Sequence, residues 1–155
     1  MSAKKPDIRI QAEDFDIQDE INKLTQGRTD IGAVVTFSGL CRGEDDTLSA
    51  LELEHYPGMA ETEIIRIAEQ AIKRFGLLGM TAIHRYGKIA PGENIVLVIA
   101  TSPHRQASFD GANFLMDFLK TRAPFWKKNH LVNGDDGGWV DAKDVDDDAL
   151  VKWEK

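Results

Sequence analysis

Cysteine is nearly absent: Cys41 is the only one in 155 residues, so no disulfide can close within the chain. One Cys and four His also fall short of a Cys-rich zinc site, and no metal is expected. Long apolar runs are missing too. The longest, such as Ile95 to Ala100, stay far below the roughly 20 residues that span a bilayer. The opening residues, MSAKKPDIRIQAEDFD, carry positive charge without the apolar stretch of a secretory signal. We therefore expect a cytoplasmic protein with no membrane partner. Basic residues are outnumbered as well: the net charge of −7 speaks against a general nucleic-acid surface, because phosphate contacts need a basic face. Internal repeats are absent, as are linkers rich in Pro, Gly or Ser. No Walker, dinucleotide-binding, HExxH or GxSxG pattern occurs, so nucleotide and classical hydrolase chemistry lack support.

What is present is ordinary globular composition, with 42% apolar and 29% charged residues. The length fits one domain over residues 1–155, with 1–7 and about 144–155 as loose tails. Ile8 to Ile10 reads as the start of a short strand, and Asp16 to Leu24 as a short helix. A buried strand is expected from Ile31, closed by Gly39, because the stretch is rich in β-branched residues. From Leu48 to Tyr56 the residues alternate, with Leu51, Leu53 and His55 on one face, until Pro57-Gly58 stops the strand. Glu61 to Phe75 has helical spacing and a stop at Gly76. Two strands, Met80 to Tyr86 and Asn94 to Thr101, flank a turn at Ala90-Pro-Gly-Glu. A second long helix covers Gln106 to Leu119, broken near Arg122 by Pro124, and Trp139-Val140 reads as a last short strand. Strands arrive in runs around two main helices. That pattern predicts an α+β fold with a mostly antiparallel sheet.

Three places could carry chemistry. Ser102-Pro-His-Arg lies where a strand gives way to a helix, so His104 and Arg105 could seat an anion beside the helix N-terminus. The plainer reading has Ser102 capping the helix and both side chains in water. Lys120 to His130 holds Lys120, Arg122, Lys127 and Lys128 with no acidic residue, while seven Asp crowd Asp135 to Asp148. Pro124 turns the backbone so that Lys120 and Lys127 could face one pocket, walled by Phe125 and Trp126. A desolvated Lys beside other cations becomes a usable acid or base. The alternative is that these cations merely favour the helix dipole. Cys41 invites a thiol-enzyme reading with His55, His84 or His104 as base, against which stands a small buried side chain. Arg42 beside it fits an anion clamp better, and His84 inside its strand reads as structural.

Five blocks in order carry a resemblance. They are Gly32-Ala-Val-Val-Thr-Phe-Ser-Gly with Arg42 behind it, Leu53-Glu-His-Tyr-Pro-Gly-Met, and Ile83-His-Arg-Tyr-Gly. Thr101-Ser-Pro-His-Arg and Met116-Asp-Phe-Leu-Lys-Thr-Arg-Ala-Pro-Phe-Trp-Lys complete the set. Together, over roughly residues 30 to 143, they resemble the catalytic (large) subunits of molybdopterin synthase. The resemblance implies an α+β fold, a homodimer, and one small ubiquitin-like sulfur-carrier subunit held by each large subunit, a heterotetramer in all. The carrier's C-terminal Gly-Gly thiocarboxylate would deliver sulfur to cyclic pyranopterin monophosphate, forming the molybdopterin dithiolene without metal or bound cofactor. By position, Lys120 and Lys127 resemble the family's active-site lysines. Arg42, His104 and Arg105 resemble its substrate-anion residues, the last two reaching the pocket across the dimer interface, and Phe37 and Met116 resemble its lining. A module that docks the carrier without chemistry is the rival reading, and it would tolerate loss of both lysines. Two departures stand out. Lys143 occupies a position where the pattern leads us to expect Arg, keeping charge at a substrate-binding position but losing the bidentate fork. The stretch from Asn129 to Gly138 is long and acidic enough to expect a disordered flap.

Overall fold

The computed structural model describes residues 4–44, 46–123 and 125–134, the backbone of 136–140, and Trp153. Strand β1 (Asp7–Gln11) leads to helix α1 (Ile17–Thr25), then strands β2 (Ala33–Leu40) and β3 (Leu48–His55). Helix α2 (Met59–Phe75) is followed by β4 (Gly79–Arg85), β5 (Gly87–Ile89) and β6 (Asn94–Ser102). Helix α3 (Arg105–Thr121) precedes β7 (Phe125–Leu131) and β8 (Asp136–Val140). The α+β expectation holds: among the described residues the two main helices, α2 and α3, and the expected short one, α1, are all present.

One sheet has the order β1-β4-β6-β2 and the other β5-β3-β7-β8; only β1 and β4 run parallel. Strand β6 explains the apolar run read in the sequence. Val96, Val98 and Ala100 face α2 and α3, whereas Leu97 and Ile99 join Leu24 and Ile83 beneath α1. A strand covered on both faces needs apolar residues at every position. The second sheet has its own small core of Cys41, Leu48, Leu51, Leu53 and Ile89.

Local chemistry sets the helix ends. Asp16 accepts from the Asp19 N–H and caps α1. The Gly58 N–H donates to the Glu61 carboxylate at 2.7 Å, and left-handed Gly76 (φ 68°) ends α2. Ser102 does not cap α3, as the plainer reading had it. Its hydroxyl is buried, 2.5 Å from that of Ser108, and His104 occupies the cap position without a side-chain bond. Trp153 packs edge-on against Phe75 and Phe114, with centroids 5.8 and 5.4 Å away, and donates to Asp117 at 2.5 Å.

The expected flap from Asn129 to Gly138 is corrected by strand pairing. Residues Asn129 to Leu131 belong to β7, which pairs with β3, and Asp136 onward belongs to β8, which pairs with β7. Strand β5 fills the three residues between the strand expected to end at Tyr86 and the turn expected from Ala90, a stretch to which the sequence assigns no element.

Candidate active site

Strand register fixes which residues share an end of the first sheet. His84 lies opposite Val96, and Val96 opposite Gly39, so the C-terminal ends of β2 and β4 lie at the same end of the sheet, one on each side of β6. Phe37 and Arg42 belong to this end, Phe37 half-exposed on the edge strand and Arg42 exposed just beyond it. Met80, Ala82 and His84 alternate onto the face that carries α2 and α3. Helix α3 starts at the opposite end of β6 and runs back, delivering Lys120 to the same place. Met116 lies one turn earlier on α3 and is buried.

Strand β7 brings the second lysine. Lys127 lies opposite Leu53 and Phe125 opposite His55, so these four side chains share the inner face of the second sheet. Cys41, in the core beneath, feels Lys127: burial pushes its thiol up, with the lysine's charge opposing. The Phe125 ring stacks on His84 at 3.8 Å and 18°, and His55 lies 4.7 Å from Tyr86 and 6.0 Å from Phe125. Burial pushes the His84 imidazole down to about 4; its bond to the Arg85 carbonyl works the other way, while Lys120 and His55 lower it further. That carbonyl can only accept, at 2.9 Å, so Nδ1 carries the proton and Nε2 is bare. Lys120 thus lies beside this ring cluster, and Lys127 follows Phe125 two residues on along the same inner face.

Several expectations need correction. Trp126 is no pocket wall: it points to the outer face, 42% exposed, with its ring edge-on to Tyr56 at 4.8 Å. Alternation decides this, because Phe125 and Lys127 already face inward. Desolvation, the premise for an unusual lysine, is missing at Lys120, which is exposed. His104 and Arg105 are exposed at the other end of α3, and its 17 residues separate them from Lys120 by roughly 24 Å. Within one chain they cannot share its pocket. Cys41 is buried with a raised pKa, which removes the thiol-enzyme reading. Lys143 lies outside the described residues. From the sequence, His55 and His84 enter only as possible bases for Cys41, and His84 otherwise reads as structural. The available signal is a His at, or one residue before, the end of each of two strands. Among the described residues, no group of His, Cys, Asp and Glu is placed to hold a metal ion.

Fold and side chains together define an α+β subunit whose two sheets meet at a cluster of histidine and aromatic rings, with Lys120 beside it and Lys127 on the adjoining strand. A family model described as "MoaE protein" matches residues 10–122. The molybdopterin synthase catalytic subunit of Mesorhizobium japonicum is 66% identical over 96% of this chain and 93% of its own length. That of Pseudomonas aeruginosa is 45% identical over 96% and 99%. Among solved structures, a molybdopterin biosynthesis MoaE protein from Burkholderia ambifaria superposes with TM-score 0.81 and 41% identity, covering 100% of this chain and 99% of its own. Molybdopterin synthase from Staphylococcus aureus gives TM-score 0.76 at 26% identity, covering 89% and 98%. The chain belongs to the molybdopterin synthase catalytic subunit (MoaE) family. It is an enzyme subunit of molybdenum cofactor biosynthesis, and its family's reaction is the sulfur transfer that forms the molybdopterin dithiolene.

Proposed function

We propose that Lys120 and Lys127 form the reaction centre in which the C-terminal thiocarboxylate of a small sulfur-carrier subunit meets cyclic pyranopterin monophosphate. The observation that carries this reading is a chain of contacts: Lys120 near the end of α3 acts on His84, whose ring stacks on Phe125, two residues from Lys127 on the inner face of β7. Both reactants are anions, so clustered cations concentrate them and offset their repulsion. Sulfur transfer needs proton donors and acceptors as the pterin ring opens and water leaves, a task within reach of two ammonium groups. Arg42 holds substrate anion from the loop after β2, with Phe37 and Met116 as apolar lining. Lys143 adds charge without the bidentate fork. The exposure of Lys120 means that seating the carrier tail supplies the missing desolvation.

A carrier partner finds support in a solved complex of subunits 1 and 2 of molybdopterin-converting factor from Helicobacter pylori. A homodimer of large subunits is supported by the edge strand β2, which leaves Val34, Phe37 and Leu40 at 39%, 41% and 51% exposure, and by Phe109 at 55% on the adjacent end of α3. Pairing two copies there lets His104 and Arg105 of one reach the site of the other, and two carriers complete a heterotetramer. The whole chain acts as one domain. No helix among the described residues is long and apolar enough to cross a membrane, and we place the enzyme in the cytoplasm.

A single-turnover assay with thiocarboxylated carrier and cyclic pyranopterin monophosphate, reading molybdopterin as its fluorescent oxidation product, tests this. Lys120→Ala is expected to abolish product while fold and carrier binding persist, and Cys41→Ala to remain active. A fully active Lys120→Ala enzyme sinks the proposed centre. Carrier binding without product from the unaltered chain would mean a docking module.

A further inference from the structure

We infer that His84 is a positioning residue: its ring, stacked on Phe125, sets where β7 holds Lys127 relative to Lys120. This rests on the reading of those two lysines as the reaction centre. His84 is the last residue but one of β4 in the first sheet and Phe125 begins β7 in the second, so the stack is a bridge between two sheets that pair with each other nowhere among the described residues. Phe125 lies two residues from Lys127 on the same inner face, while Lys120 lies close enough to His84 to act on its charge. Lys120 and Lys127 hang from different elements, α3 and β7, so their relative placement depends on what packs between those elements.

Three features suit His84 to this work. Its Nδ1–H is spent on the Arg85 carbonyl, which locks the ring plane and leaves it no freedom to rotate. The ring is flat against Phe125 at 18°, a geometry an aliphatic side chain would not reproduce. Its neutrality adds no further positive charge beside Lys120, with His55 and Tyr86 packed beside the cluster and Arg85 turned away to the Ala12 and Asn94 carbonyls.

The test is the same single-turnover assay at saturating carrier and pterin, with carrier affinity measured in parallel. Misplacing a reacting group by about 1 Å costs on the order of a hundredfold in rate. His84→Ala is therefore expected to lower the transfer rate by about that factor while carrier affinity changes by less than about threefold, within 1 kcal/mol. His84→Phe, which keeps a ring to stack, is expected to recover most of the rate. Phe125→Leu, which removes the ring from the other side, is expected to behave like His84→Ala and serves in its place if that variant does not fold. A folded His84→Ala or Phe125→Leu enzyme with unaltered transfer rate overturns the inference, as does a His84→Phe enzyme as slow as His84→Ala. Lys120→Ala and Lys127→Ala are run alongside: if they keep full turnover, the reaction centre itself is misplaced. If they fail and the His84 and Phe125 variants do not, only the positioning role is lost.

Discussion

His84 is neutral where an unfolded chain would let it charge, and that difference links its protonation to folding. Its pKa in the fold is about 4, against 6.5 for an ordinary imidazole. Between those values the unfolded chain binds more protons than the folded one, so stability falls as pH falls through this window. The loss attributable to His84 is up to about 3 kcal/mol by pH 4. Urea denaturation at several pH values is expected to show this slope in the unaltered protein and a much shallower one in His84→Phe. Equal slopes would mean that another group carries the acid sensitivity. At this scale the sequence was legible where charge was unusual and silent where it was not. Lys120 and Lys127 stood out inside a cationic run. His84 and Phe125 are 41 positions apart and chemically unremarkable until the fold stacks them.

At the scale of elements, the strand β7 shows why a pattern can mislead. Phe125, Lys127, Asn129 and Leu131 occupy alternate positions facing His55, Leu53, Leu51 and Leu48 across the ladder, so two of the four inward side chains are polar. A strand that turns a lysine inward has no clean alternation to read, and the proposed role of Lys127 is the kind of function for which a local rule is broken. By contrast α2, whose duty is packing, was readable from its spacing and its glycine stop. The entry into α3 is held more tightly than its sequence indicated. A Cβ placed on Gly32 would lie 2.1 Å from the Pro103 carbonyl oxygen, and the Gly32 N–H donates to Ser102 at 3.0 Å. Backbone cannot give way as a side chain can. Gly32→Ala is expected to cost about 1–3 kcal/mol, seen as a lower urea midpoint with unchanged slope. It should also disturb His104 and Arg105, which follow directly.

For the whole molecule, the opposite placement of Lys120 and Arg105 on one helix has a consequence for assembly. If both serve one site, two copies must pair, and the exposed edge of β2 with Phe109 is where apolar surface awaits cover. Phe109→Glu is expected to shift sedimentation from dimer to monomer and to depress turnover, since His104 and Arg105 would no longer reach the partner's site. A Phe109→Glu protein that stays dimeric and fully active would place the interface elsewhere.

The sequence by itself determined the α+β class, the helices whose packing repeats every turn, the strand β6 whose apolar run needs cover on both faces, and the cationic segment where chemistry gathers. These are consequences of local spacing and composition, which neighbours in the chain are enough to express. Tertiary structure alone decided that β7 is a strand, that β8 begins as early as Asp136, and that Trp126 faces away. It also decided that His104 and Arg105 lie a helix length from Lys120, and that His84 stacks on Phe125. Each of these depends on which distant segments pair and in what register, and a single residue's shift in register turns every side chain to the other face.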